Sequence, residues 1–311
     1  MEWFVISTLT VTSYLFYVLP RPLQLAFGNL LGIIFERLKF KSKVVDRNLE
    51  IAFPLDAEKK KRIRRQSYRA FGNLILEVLL LFGPLKRFIF KNVDFSGREN
   101  WERAHAQGKG VIVLSSHVGN WEVMAATGTL IGKIDLMLVT KHLKPEWFHR
   151  AIEKRRLRCG VRATYEPKTS RDIIKHLKSN GTVGFVLDQY AGAPVGVRVP
   201  LFGTPVGTST AVAVFAKRTG APVIPVINFR RPDGRWTVKM LPELKWNSEN
   251  VASPQQHSSH FELASNTARY AAELEGHILE HPEQWLWIHN RFKGDLSPIK
   301  AGEWAAPRDR T

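Results

Sequence analysis

The run Gly110-Val-Ile-Val-Leu-Ser-Ser-His-Val-Gly-Asn-Trp-Glu-Val-Met124 decides how the chain folds. Four apolar residues in succession, Val111 to Leu114, predict a strand covered on both faces, since a half-exposed strand would alternate with polar residues. The strand stops at Ser115, Ser116 and His117. After the turn signal Gly119-Asn120, a helix opens with Trp121, Glu122, Val123 and Met124. A buried strand running into a helix is the unit of an α/β fold, and the C-terminal ends of its strands are where ligands meet the protein. His117 stands at such an end. A neutral imidazole there can take a proton from an alcohol, while a carboxylate on its other nitrogen fixes the tautomer and stabilises the imidazolium. Glu122, in the first turn of the helix, is the carboxylate nearest in sequence, and backbone amides around Gly119 are candidate donors to an oxyanion.

Working outward, Thr182 to Leu187 predicts a second buried strand after a helix over Ser170–Ser179 that ends at Asn180-Gly181. Asp188 and Gln189 follow at its C-terminal end. Asp135–Thr140 and Val223–Phe229 read as further strands, and Trp101–Gln107, Pro145–Arg158, Ala211–Arg218 and Thr267–Leu279 as helices. Pro200–Thr208 reads as a Gly/Pro loop and Asn247–His260 as a polar loop. Asp56–Phe82 is helical, with a basic first half and an apolar second half at three- and four-residue spacing, closed by Gly83-Pro84. The implied fold is α/β, a mixed central β-sheet flanked by helices.

The first residues are different in kind. Trp3 to Leu19 is almost uninterruptedly apolar and is followed by Pro20-Arg21-Pro22. It lies near the lower length limit for a membrane span and lacks the basic start of a signal peptide, so an N-terminal membrane-anchoring helix is expected. A second apolar segment, Leu23–Leu38, can lie in or on a membrane too. Basic residues downstream put the body of the protein on the cytoplasmic side by the positive-inside rule. The chain divides into an anchor over 1–22, a catalytic domain over 23–300 and a tail over 301–311.

Composition adds bounds. The chain has 311 residues, 44% of them hydrophobic, enough for a sizeable core. Its one cysteine, Cys159, excludes an internal disulfide and a multi-cysteine metal site. A formal charge of +18 calls for an anionic partner. Much of it sits in two clusters, Lys59 to Arg69 and Lys154 to Arg162. Zinc-finger spacing, RNA-recognition signatures and basic-zipper patterns are missing, which argues against nucleic acid. Neither a phosphate loop of the G-x-x-x-x-G-K-[ST] type nor H-E-x-x-H is present, so no nucleotide cofactor and no metal are implied.

His117-Val-Gly-Asn-Trp-Glu122 resembles the His-x4-Glu signature of the lysophospholipid acyltransferase superfamily, in the form typical of the lipid A late acyltransferases. Asn48-Leu-Glu-Ile-Ala-Phe-Pro54, Val186-Leu-Asp-Gln-Tyr190, Pro200-Leu-Phe-Gly-Thr-Pro205 and Trp285-Leu-Trp-Ile-His-Asn-Arg-Phe-Lys293 resemble further blocks of that family in the same order. The resemblance implies transfer of a fatty acyl chain from an acyl carrier protein thioester to a hydroxyl of a lipid A precursor at the bacterial inner membrane. It implies His117 as base and Glu122 as its orienter, with Asn120, Arg156, Asp188, Gln189 and Arg291 binding substrate. Arg155 and Arg158 compete with Arg156, and Pro222 or Pro225 would flank the acyl pocket. Alternatives are a neighbouring branch acting on a phosphatidylinositol mannoside, a non-enzymatic basic protein of the membrane surface, and, weakest, a metallohydrolase.

Overall fold

The computed structural model describes residues 2–248 and 259–299. The 301–311 tail and most of the Asn247–His260 loop lie outside the described residues. The chain opens with four helices, α1 (Glu2–Val18), α2 (Arg21–Arg37), α3 (Ser42–Ala52) and α4 (Ala57–Val78), then a 3-10 turn over Leu79–Phe82 and α5 (Leu85–Asn92). The alternating part follows as β1 (Val93–Ser96), α6 (Arg98–His105), β2 (Val111–Ser115), α7 (Trp121–Leu130), β3 (Leu136–Val139), α8 (Glu146–Arg158), β4 (Arg162–Thr164), α9 (Thr169–Lys178) and β5 (Thr182–Val186). A hairpin of β6 (Gly196–Leu201) and β7 (Thr204–Ser209) precedes α10 (Ala211–Thr219), β8 (Val223–Arg230), β9 (Trp236–Met240) and α11 (Ser259–Glu280).

Seven strands form one sheet in the order β1-β9-β8-β2-β5-β3-β4. Its pairs are parallel except β8 with β9, so the sheet is mixed, and helices flank it. β2 lies at its centre, and Val111, Ile112 and Leu114 are fully buried, as an unbroken apolar run requires. Val111, Val113, Val123, Ile224 and Trp236 belong to one face's core, and Ile112, Leu114, Val183, Val212 and Leu274 to the other.

Two expectations change. The Pro200–Thr208 stretch is an antiparallel hairpin rather than a loop, pairing Val197 with Thr208 and Val199 with Val206. Phe202 and Gly203 turn it, both at positive φ, which a two-residue turn matched to strand twist needs. The expected spanning anchor is also not found: among the described residues no helix is long and apolar enough to cross a membrane. α1 has 17 residues, about 26 Å at 1.5 Å each, short of the ~30 Å hydrocarbon layer. It packs Ser13 and Phe16 inward and leaves Trp3, Phe4, Val11, Leu15 and Val18 exposed.

α2 is amphipathic in an inverted sense. Leu23, Phe27, Leu30, Ile34 and, just past the helix end, Leu38 are exposed, while Gln24 is buried against the backbone linking α1 to α2 and Gly28 and Gly32 are buried against α4. The contact is backbone to backbone, since a Cβ on Gly72 would run into the Gly28 carbonyl and the Gly32 backbone. Arg21 and Arg230 both pair with the buried Glu77 carboxylate, tying α2, α4 and β8 together.

Candidate active site

Parallel register builds the site. β2 and β5 pair Val111 with Thr182 through to Ser115 with Val186, and the same offset of 71 carried two residues past the strand ends sets His117 beside Asp188. One carboxylate oxygen, Oδ1, lies 2.7 Å from His117 Nδ1. The other, Oδ2, accepts the His117 backbone N–H at 2.7 Å and the Trp285 indole N–H at 2.6 Å. Burial alone would raise the Asp188 carboxyl, but the His117 charge, its two hydrogen bonds and that of Trp285 outweigh it and hold the group at about 2. A carboxylate can only accept, so Nδ1 carries a proton, and in the neutral imidazole Nε2 keeps a lone pair. The Gln189 side-chain amide lies 3.2 Å from that nitrogen. Trp121 meets the imidazole edge-on, ring centroids 4.9 Å apart.

The corner after β2 is locked by its own backbone. Gly119 takes φ +70°, and a Cβ there would meet the Asn228 side chain. The Gly119 N–H donates to the Gln284 carbonyl at 3.0 Å and the Asn120 N–H to Asn228 Oδ1 at 2.9 Å. Among the amides expected around Gly119 as oxyanion donors, those of Gly119 and Asn120 are therefore already committed within the protein. Asn120 is the N-cap of α7, its Oδ1 accepting the backbone N–H groups of Glu122 and Val123.

Glu122 is turned away from the imidazole. Its carboxylate forms a two-pronged pair with Arg156 of α8, Nε to Oε2 at 3.0 Å and Nη2 to Oε1 at 2.5 Å, both side chains buried. The orienting contact expected from Glu122 is made by Asp188. Burial alone would lower the Arg156 guanidinium, but the hydrogen bonds and charge of Glu122 reverse the direction. Removing one member of a buried ion pair typically costs about 3–5 kcal/mol, so Glu122→Gln should lower the urea midpoint substantially. The rate of folded protein should fall far less than with a change at the His117–Asp188 pair.

Arg291 is also buried, 1% exposed. It donates to the Gln189 carbonyl at 3.2 Å, the Gly207 carbonyl at 2.5 Å and the Thr208 hydroxyl at 2.6 Å. Burial depresses it to about 10 against the pull of Asp188 and Tyr190. It fixes the backbone that carries Gln189. The structure thus brings His117, Asp188 and Gln189 together, and sets Glu122 with Arg156, Asn120 and Arg291 around them as supports.

Two neighbours go unpredicted by their residue type alone. Trp285 holds Asp188 from the far loop. His289 of the same loop is pushed down by burial, partly countered by Asp188, and His117 adds to the lowering; its Nε2 is buried without a hydrogen-bond partner. Both sit in the Trp285–Lys293 block, whose crowding with aromatic and basic residues is the available signal.

Beneath the corner, between α7 and the sheet, runs a narrow apolar cavity of about 30 Å³ lined by Val113, Ser115, Met124, Phe185 and Val226 among others. That is room for about one water molecule. Ser115, two residues before His117, places its wall next to the site. Pro225 pairs with Leu114 on the adjoining strand. No group of three or more His, Cys, Asp or Glu among the described residues has a geometry that could hold a metal ion.

Known proteins similar to this chain are acyltransferases. The chain is 26% identical over 300 residues, 94% of its length and 91% of the relative's, to the lipid A biosynthesis palmitoleoyltransferase of Escherichia coli. It is 26% identical over 281 residues, 88% of its length and 87% of the relative's, to the lauroyltransferase of the same organism. A phosphatidylinositol mannoside acyltransferase of Mycobacterium tuberculosis is 26% identical over 248 residues, 76% of this chain and 72% of the relative. Residues 1–294 match the family described as bacterial lipid A biosynthesis acyltransferase, and the chain belongs to that family.

Proposed function

We propose that the protein transfers a fatty acyl chain from a thioester, with acyl carrier protein as donor, to a hydroxyl of a lipid A precursor. The observation that carries this reading is the His117 imidazole held by Asp188 at 2.7 Å, with its second nitrogen left as an acceptor that meets, among the described residues, only the Gln189 side-chain amide. The acceptor hydroxyl gives its proton to Nε2 as its oxygen attacks the thioester carbonyl carbon. The new C–O bond forms a tetrahedral intermediate, the C–S bond then breaks, and the imidazolium returns the proton to the departing thiolate. Asp188 stabilises the imidazolium between the two steps.

The greater length of chain matched by the lipid A enzymes supports that acceptor over a mannoside. The test is direct: purified protein with an acyl carrier protein thioester and an under-acylated lipid A should give a product heavier by one acyl chain. No mass gain with any acyl thioester would overturn the reading.

The outer surface supports work on a membrane from one side, with the catalytic domain on the cytoplasmic face of the inner membrane. The exposed apolar stripes of α1 and α2 suit the hydrocarbon boundary. On the outward face of α4, Lys61, Arg62, Arg65 and Arg69 line a groove of about 270 Å³ and have no ion-pair partner among the described residues. Cations near an anionic bilayer each contribute about 1 kcal/mol. Reversing these four to Glu should weaken partitioning to anionic vesicles on the order of a hundredfold or more, while binding to neutral vesicles through α1 and α2 stays within a factor of a few. Unchanged binding to anionic vesicles in sedimentation would show the stripe to be a solvated helix face.

A further inference from the structure

We propose that the Gln189 side-chain amide holds the place of the acceptor hydroxyl in the resting protein and, once displaced, becomes the donor that stabilises the tetrahedral oxyanion. This role rests on the acyl-transfer reading above. Its first support is position. The amide nitrogen lies 3.2 Å from His117 Nε2, the separation at which an attacking hydroxyl must sit to hand over its proton, roughly 2.6–3.2 Å. Because Nδ1 already donates to Asp188, Nε2 is an acceptor and the amide donates to it.

The second support is the fate of four other donors at this corner, where, among the described residues, the buried Asn120 Nδ2 and Arg291 Nε are left without a hydrogen-bond partner. The Gly119 and Asn120 amides are bound to Gln284 and Asn228. Arg156 is held by both oxygens of Glu122, and Arg291 by the Gln189, Gly207 and Thr208 oxygens. Recruiting any of these bonded N–H groups to an oxyanion means breaking a buried contact that nothing replaces. Gln189 differs, because its partner is the nitrogen the substrate hydroxyl itself engages. Arrival of the hydroxyl therefore frees the amide at the place where charge develops on the carbonyl oxygen. The Arg291 clamp on the Gln189 carbonyl keeps the main chain still, so only the side chain has to turn.

Loss of one oxyanion donor lowers kcat by about 100- to 1,000-fold. Gln189→Ala should show that loss in kcat with KM changed by less than about threefold. Gln189→Glu keeps the size but presents no N–H as a carboxylate. It should fail to restore the rate, and should move the acidic limb of the kcat/KM profile to higher pH, since a carboxylate beside Nε2 favours the imidazolium. A packing role would instead be rescued by Glu. The same assay on His289→Ala covers the competing imidazole. Wild-type kcat in Gln189→Ala, full rescue by Glu, or a kcat loss seen only in His289→Ala would each overturn the role while leaving acyl transfer standing. Absence of transfer by the wild-type protein overturns acyl transfer and this role together. The resting contact has its own readout: nitrogen-15 NMR of the histidine rings should show His117 Nε2 shifted in Gln189→Ala, and an unmoved resonance overturns the contact regardless of turnover.

Discussion

His117→Ala should lose acyl transfer by about a hundred- to ten-thousand-fold while the protein stays folded. The side chain is only part-buried and packs against the edge of Trp121 rather than within the sheet, so truncation leaves the core contacts of β2 and β5 intact. Circular dichroism should match wild type, while the urea midpoint should fall, because the buried Asp188 carboxylate keeps only its backbone and Trp285 donors. The loss should fall on kcat, because the proton is taken only as the C–O bond forms, and acceptor binding should be little affected. Near wild-type transfer by this variant would remove the general-base mechanism.

The second large effect is expected at Asp188. Two N–H donors, the His117 backbone and the Trp285 indole, converge on Oδ2. In Asp188→Asn the amide oxygen must stay there, which turns the amide nitrogen toward His117 Nδ1. The imidazole then has to present a lone pair to it and carry its proton on Nε2, the tautomer that cannot act as base. A change of this type in a Ser-His-Asp enzyme costs about ten-thousand-fold, and a loss of that order, equal within tenfold to His117→Ala and not additive with it, is the expected result. Activity within tenfold of wild type would show that Asp188 does not govern the base. The same contacts set a pH limit. The carboxyl is depressed in the folded protein to about 2, below the ~3.9 of an unfolded chain. Its contribution to stability is therefore present above about pH 4 and is lost as pH falls through the folded value. Asp188→Asn should flatten acid unfolding in that window.

The strand-to-helix corner, the buried strands and the strand-end placement of His117 and Asp188 are legible from apolar runs and turn residues, because those signals are local. The partner of the base is not. Glu122 is five positions from His117 and Asp188 is seventy-one, yet strand register brings the distant residue into contact. The helix start swings the near one toward Arg156. The hairpin over Gly196–Ser209 hides for a similar reason. Pro200 and Pro205 interrupt the strands, Gly196 to Val199 are all buried with Arg198 among them so that no alternation shows, and the turn uses Phe202-Gly203 in place of the more familiar Asn-Gly. The outer strands β1 and β4 are three or four residues long, too short for periodicity to register.

The glycine contact between α2 and α4 has a consequence for how the molecule stands on a bilayer. Helices that touch through Gly28, Gly32 and Gly72 leave no layer of side chains between them to slide or repack, so the pair behaves as a single plank. One edge of that plank is the exposed apolar stripe of α2; the other, through Ile63 and Tyr68 of α4, is packed with Trp285 and Trp287, whose loop holds Asp188. With the apolar edge resting on lipid, the height and tilt of the catalytic imidazole above the headgroups are then set by the thickness of two helices. On the acyl-transfer reading proposed above, a site held at one height would select among the hydroxyls of a glycolipid by their depth.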